Sequence, residues 1–196
     1  MNIHKTALLF CLCSSFLVSG CTAIAVGSAA TTGVAIAHDR RTTGTVVDDQ
    51  TIELKALRTL YADDSIRINT HINATSYNGV LLLTGEAPTE ALRSHIIRQI
   101  RRIPNIRKIH NEILLAAPSA VVSRSSDAYV TSKAKITLLT LNHIQGFDPT
   151  RVKVVTENGV VYLLGLLKQH EVNPVVETIR RVGGVQRVIK LIEIIA

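Results

Sequence analysis

Residues 158–165 read Asn-Gly-Val-Val-Tyr-Leu-Leu-Gly, and residues 78–85 read Asn-Gly-Val-Leu-Leu-Leu-Thr-Gly. Each Asn-Gly pair follows an alternating apolar stretch, Ile72-Asn-Ala74 or Val152-Lys-Val154. Asn and Gly both accept the positive φ of a type I′ turn, so each segment reads as a β-hairpin.

The agreement extends to both sides. Upstream, Asp49-x-x-Ile52-x-x-x-Ala56-x-x-x-Leu60 returns as Asp127-x-x-Val130-x-x-x-Ala134-x-x-x-Leu138. Apolar residues at i, i+4 and i+8 form one face of an amphipathic helix, and the leading Asp reads as its N-cap. Downstream, a second helical stretch ends in Ile100-Arg-Arg-Ile-Pro-Asn-Ile106 and, in the other copy, in Ile179-Arg-Arg-Val-Gly-Gly-Val185. Both copies close on a strand, residues 107–115 and 186–194.

The chain is thus a tandem repeat of two αββαβ units. The expected fold class is α+β, each unit a three-stranded sheet with two helices on one face. Residues 116–126 contain Pro118 and four Ser and read as a connection. The expected organisation is a leader at 1–20, an N-terminal tether at 21–45, a first domain at 46–116, a linker at 117–123 and a second domain at 124–196.

This order of signals resembles the BON domain, a family named for bacterial osmotic-shock-induced and nodulation-related proteins. The second copy carries the resemblance best, in Asn158–Gly165 and in Gly184-Val-Gln-Arg-Val188. The first departs from it at Pro104-Asn105-Ile106. The resemblance implies phospholipid binding and maintenance of the outer envelope, without catalysis.

The N-terminus points to the same compartment. One cation, Lys5, precedes an apolar run from Ala7 to Val18, followed by Ser19-Gly20-Cys21. That run is too short for a mature membrane span and has the length of a signal peptide. Small residues before a Cys resemble the lipobox of bacterial lipoproteins, in which the Cys, here Cys21, becomes the acylated N-terminus. An Asp after that Cys resembles an inner-membrane retention signal; Thr22 therefore points to the outer membrane, with the protein facing the periplasm. Residues 22–37 are small and weakly apolar and 38–45 turn polar; residues 22–45 read as a flexible tether or, alternatively, as a small-residue packing stripe.

Composition narrows the function classes. The 196 residues are 46% hydrophobic but only 4% aromatic, with no Trp, so the core must be aliphatic. The three Cys lie at 11, 13 and 21, which excludes a disulfide scaffold or thiolate metal site in the repeats. The formal charge of +7 is uneven: residues 46–116 carry nine cations against eight acids, and residues 124–196 carry ten against six. A basic second domain is attracted to polyanions. In an envelope lipoprotein the expected partner is anionic phospholipid rather than nucleic acid, with envelope proteins as the alternative partners.

No catalytic or cofactor motif is evident. The seven His show no i, i+3 or i, i+4 pairing, and neither a phosphate-binding Gly loop nor a G-x-S-x-G elbow occurs. Asp48/Asp49 and Asp63/Asp64 read as capping charges at the ends of the first helix. The expectation is a protein that is not an enzyme and holds no cofactor or metal. A lipid-surface module, a periplasmic adaptor and an envelope enzyme remain as classes, in that order.

The candidate lipid contact lies on the first helix of the second unit, expected over 130–144. At 100° per residue Val130, Ala134, Thr137, Leu138 and Leu141 share the core face, while Ser132, Ile136, Leu139 and His143 lie opposite. Lys133 and Lys135 flank that opposite face. Exposed aliphatics framed by ammonium groups suit a headgroup boundary. The rival expectation is that Ile136 and Leu139 pack against the first domain, since Leu54 and Tyr61 hold similar positions there.

Overall fold

A computed structural model describes residues 39–118 and 121–196. The leader, Cys21 and the tether through residue 38 lie outside the described residues. Asp39–Ala196 forms one compact unit. Its first half runs α1 (Thr43–Ala62), α2 (Asp64–Asn69), β1 (His71–Tyr77), β2 (Val80–Ala87), α3 (Glu90–Ile100) and β3 (Lys108–Leu115). The second half runs α4 (Val121–Leu138), 3-10 turns at Leu139–His143 and Pro149–Arg151, β4 (Val152–Glu157), β5 (Val160–Lys168), α5 (Gln169–Arg180) and β6 (Arg187–Ile195).

The expected α+β fold of two repeats is present. Each sheet has its middle sequence strand at the centre, β1-β2-β3 and β4-β5-β6. The Asn-Gly turns make the first pair of each sheet antiparallel, and the helical crossover makes the second pair parallel. Each half has its own aliphatic core. Ile52, Ala56, Leu60, Leu81, Leu83, Ile96 and Ile100 pack in the first; Val130, Ala134, Leu138, Val161, Leu163, Val175 and Ile179 pack in the second.

The repeat's leading Asp is not an N-cap. Thr42 caps α1, its hydroxyl accepting from the Thr45 amide. Asp49 sits inside α1, buried, and accepts hydrogen bonds from the backbone amides of Asn78 (2.6 Å) and Gly79 (2.8 Å) and from the Ser76 hydroxyl (2.6 Å). Asp127 does the same for Asn158 and Gly159, both at 2.9 Å. The repeated spacing thus records a carboxylate that ties a helix to a hairpin turn. The second acidic pair divides similarly: Asp63 caps the short α2 and meets His95 Nε2 at 2.7 Å.

The Pro104-Asn105-Ile106 departure leaves the backbone path intact. Asn105 takes φ 68° where the other copy has Gly184 at φ 100°, and Asn is among the side chains that tolerate this region. Gly85 answers a different demand, since a Cβ there would come within 1.9 Å of the His71 carbonyl oxygen.

The central strands are buried on both faces, which the unbroken apolar runs of β2 and β5 permit. Helices cover one face. The other faces of the two sheets pack together through Tyr77, Leu82, Tyr162, Leu164 and Leu166. Turn residues cross this contact: Asn78 Nδ2 donates to Glu193 (3.1 Å) and Asn158 Nδ2 to Glu86 (2.6 Å). The expected element bounds shift where tertiary contacts intervene. Helix α1 begins at Thr43, inside the expected tether, and α4 begins at Val121, inside the expected linker.

Candidate functional site

Helix α4 owes its inward face to the spacing of Val130, Ala134 and Leu138, all buried, with Leu141 continuing that face on the following turn. The α-helix stops at Leu138 and a 3-10 turn carries Leu139–His143, so the expected single helix over 130–144 is two elements. Thr137 and Thr140 turn their hydroxyls back onto the carbonyls of Lys133 and Thr137, a competition with the helical ladder that suits this ending.

Ile136 is 65% exposed and Leu139 59% exposed. The two domains meet through their sheets, so neither residue is used in that contact. Thr137, placed on the core face by periodicity, is only half-buried. Lys135 and His143 are exposed, and the His143 ring meets the Thr140 carbonyl at 3.1 Å. Lys133 is half-buried, its ammonium 5.4 Å from the Tyr129 ring centroid.

Tyr129 belongs to the same exposed stripe, seven residues before Ile136, and sequence reasoning missed it. The signal was present in the 3.6-residue period, but starting the helix at Val130 left Tyr129 outside it.

A groove of about 510 Å³ runs beside this stripe, with Lys135, Ile136 and Leu139 on one side. Arg41, Tyr77 and Lys153 line it from the junction with the first domain. The Arg41 guanidinium lies 3.8 Å from the Tyr77 ring centroid and pairs with Asp39 and Asp49. Burial, assisted by the Asp39 charge, pushes the Tyr77 phenol up to about 12, so it stays protonated and donates to the Arg151 carbonyl at 3.3 Å. Lys153 reaches Glu53 at 2.6 Å and the Ser76 carbonyl at 3.2 Å. The parts of Arg41, Tyr77 and Lys153 in this groove could not be read from the sequence because the groove exists only once the sheets are stacked.

The arrangement offers an apolar ridge with ammonium groups at its margins and a partly apolar groove along it. Among the described residues that line it, none pairs a nucleophile with a base. Among the described residues, no helix is long and apolar enough to cross a membrane. A group capable of holding a metal, His71 with Glu86 and Glu157, lies elsewhere, at the contact between the sheets.

The BON-domain family model matches residues 48–117 and 126–196. The chain is 30% identical over 189 residues to the outer membrane lipoprotein DolP of Haemophilus influenzae, across 96% of this chain and 95% of that protein. It is 34% identical over 154 residues to a 21 kDa hemolysin of Actinobacillus pleuropneumoniae, across 79% and 78% of the two chains. Neither name is that of an enzyme. Among solved structures, CdsD, a structural protein of the Type III secretion system of Chlamydia trachomatis, aligns with TM-score 0.30 and 14% identity. That alignment spans 75% of this chain and 63% of the other, a likeness too low to bear on function.

Proposed function

This chain belongs to the BON-domain family, with the two-domain build of an outer-membrane lipoprotein, and we propose that its second domain binds the anionic phospholipid surface beside which a lipid on Cys21 holds it. The protein acts without catalysis, on the periplasmic side, in support of outer-membrane integrity. The observation that carries this reading is the pair Ile136 and Leu139, large aliphatics mostly in water, on a face that the half-buried Lys133 and the exposed Lys135 flank.

Aliphatic side chains at that position enter the headgroup boundary, while the ammonium groups remain at phosphate level. Each cation near an anionic leaflet contributes about 1 kcal/mol. His143, at the end of the ridge, lies at the same level. The groove lined by Arg41 and Tyr77 gives an acyl chain or glycerol backbone a partly apolar place beside the ridge. The hemolysin name of one relative also connects this build with membranes.

The test is flotation of residues 22–196, which lack the acyl group, with vesicles of phosphatidylglycerol or of phosphatidylcholine. The wild-type fragment should float with the first in low salt and far less with the second. Leu139→Glu should abolish flotation with little change in Tm, because the side chain is mostly in water. A large fall in Tm, or undiminished flotation of a folded variant, would overturn the assignment.

A second reading, a periplasmic protein adaptor, is favoured by the exposed Leu54, Leu57 and Tyr61 on α1. It predicts co-purification with an envelope protein that is lost on Leu57→Glu while vesicle binding is kept.

A further inference from the structure

His71 and Glu86 face one another across β1 and β2 as register partners. The third member, Glu157, ends β4 in the other domain, so the stacked sheets bring together residues 86 positions apart. His71 Nδ1 lies 3.4 Å from Glu86 Oε2 and 4.0 Å from Glu157 Oε1, and the three donor atoms all fall within 4.8 Å of one another. Both carboxylates are almost wholly buried, their side chains 3% and 5% exposed.

Two features distinguish this cluster from an ordinary ion pair. Nδ1 of His71 is buried without a hydrogen-bond partner, because its approach to Glu86 lacks hydrogen-bond alignment. The remaining carboxylate oxygens are held from behind. Asn158 Nδ2 donates to Glu86 Oε1 at 2.6 Å, and Asn73 Nδ2 and Thr84 Oγ1 donate to Glu157 Oε2 at 2.9 and 3.1 Å. Glu86 Oε2 and Glu157 Oε1 are thereby the atoms turned toward His71. Outer hydrogen bonds that orient inner donors are the usual companions of a metal site.

We propose that His71, Glu86 and Glu157 bind a divalent first-row transition metal, of which zinc is the type, and that the ion fastens the first domain to the second. Ligands of tetrahedral zinc stand about 3.4 Å apart, close to the His71–Glu86 separation. With an imidazole and two carboxylates the donor set brings two negative charges, which match the charge of a divalent ion. The imidazole disfavours magnesium and calcium, and the carboxylates disfavour soft monovalent copper. A cleft of about 430 Å³, whose lining includes His71, Asn73, Arg124, Asp127, Thr156 and Glu157, opens beside two of the three donors and has room for a water as fourth ligand. None of this depends on the membrane-binding reading.

The test uses the full purified protein without an affinity tag, in detergent, stripped with EDTA and titrated with Zn²⁺ by calorimetry and with Co²⁺ by visible absorption. One equivalent of Zn²⁺ should bind, with Tm rising about 5–10 °C when the free ion exceeds Kd a hundredfold. Co²⁺ should develop d–d bands in the same stoichiometry. Glu157→Gln and Glu86→Gln keep the shape and the rear hydrogen-bond acceptor, and each should weaken Zn²⁺ binding at least about tenfold. Glu53→Gln, at a different contact between the domains, should bind as wild type. Absence of saturable Zn²⁺ and Co²⁺ binding by the folded wild-type protein overturns the proposal. So does full affinity in folded Glu157→Gln, or an equal preference for Mg²⁺.

Discussion

Arg40 and Glu171 form a bidentate ion pair, Nη1–Oε2 at 2.6 Å and Nη2–Oε1 at 2.7 Å, across 131 residues of chain. The Glu171 side chain is fully buried, and it also accepts from the Lys168 amide at the start of α5. Arg40 donates further to the Leu166 carbonyl at 2.9 Å. Beside it Arg41 holds Asp49, so two consecutive arginines attach the entry of the first domain to both halves of the fold.

Removing Arg40 leaves a buried carboxylate without its partner. Arg40→Ala should cost about 3 kcal/mol at neutral pH, read as a shift of the urea midpoint. A double variant with Glu171→Gln should recover part of that loss. Burial raises the affinity of Glu171 for a proton, but the Arg40 and Lys168 donors outweigh it and hold the carboxyl below its ordinary value of 4.5. The ion pair's contribution is therefore complete above pH 4.5 and is lost as pH falls toward the depressed folded value. The difference between wild type and Arg40→Ala should accordingly shrink on acidification.

The buried aspartates give a second test. Asp127→Ala strips the Asn158 and Gly159 amides of their acceptor and should destabilise the second domain by about 2–3 kcal/mol. Asp49→Ala should cost more, because it also removes one of the two carboxylates that Arg41 pairs with and the acceptor of the Ser76 hydroxyl. Urea unfolding followed by far-UV circular dichroism distinguishes the two. Equal losses would contradict the role given to Arg41.

The lipid surface is testable through its charge. Lys133→Gln with Lys135→Gln should weaken binding to anionic vesicles about thirtyfold, from about 1 kcal/mol per cation. It should also flatten the salt dependence of binding. Because Lys133 also lies over Tyr129, Lys135→Gln alone should alter Tm least.

Cys21→Ala tests the anchor. Membrane fractionation should find the variant unprocessed or released from the outer membrane, since buried acyl chains contribute about 0.8 kcal/mol per CH₂ and outweigh a basic patch. Full retention in the outer membrane would withdraw the lipidation assignment.

How much of this was legible in the sequence depends on the range of the interaction. The Asn-Gly turns were readable because positive φ is a property of the residues themselves. The core face of α4 followed from the helical period, and so did the exposure of Ile136 and Leu139. Asp49 and Asp127 were visible as a repeated signal but misread as caps. A spacing shows that a residue recurs, not which backbone amides some 30 positions away it will meet.

The amino-acid order by itself determined two αββαβ repeats, their hairpins, their aliphatic cores and the basic second half, because each rests on local conformational preference, apolar periodicity or simple counting. Only the tertiary structure decided that the sheets stack face to face. That contact rests on Leu82, Tyr162 and Leu164, whose place within strands buried on both faces is the same in sequence whether a helix or another sheet covers them. From the stacking follow the groove beside α4, the reach of Arg40 to Glu171, and the meeting of His71 with Glu86 and Glu157. These depend on side chains converging from different elements, and no one-dimensional period encodes that convergence.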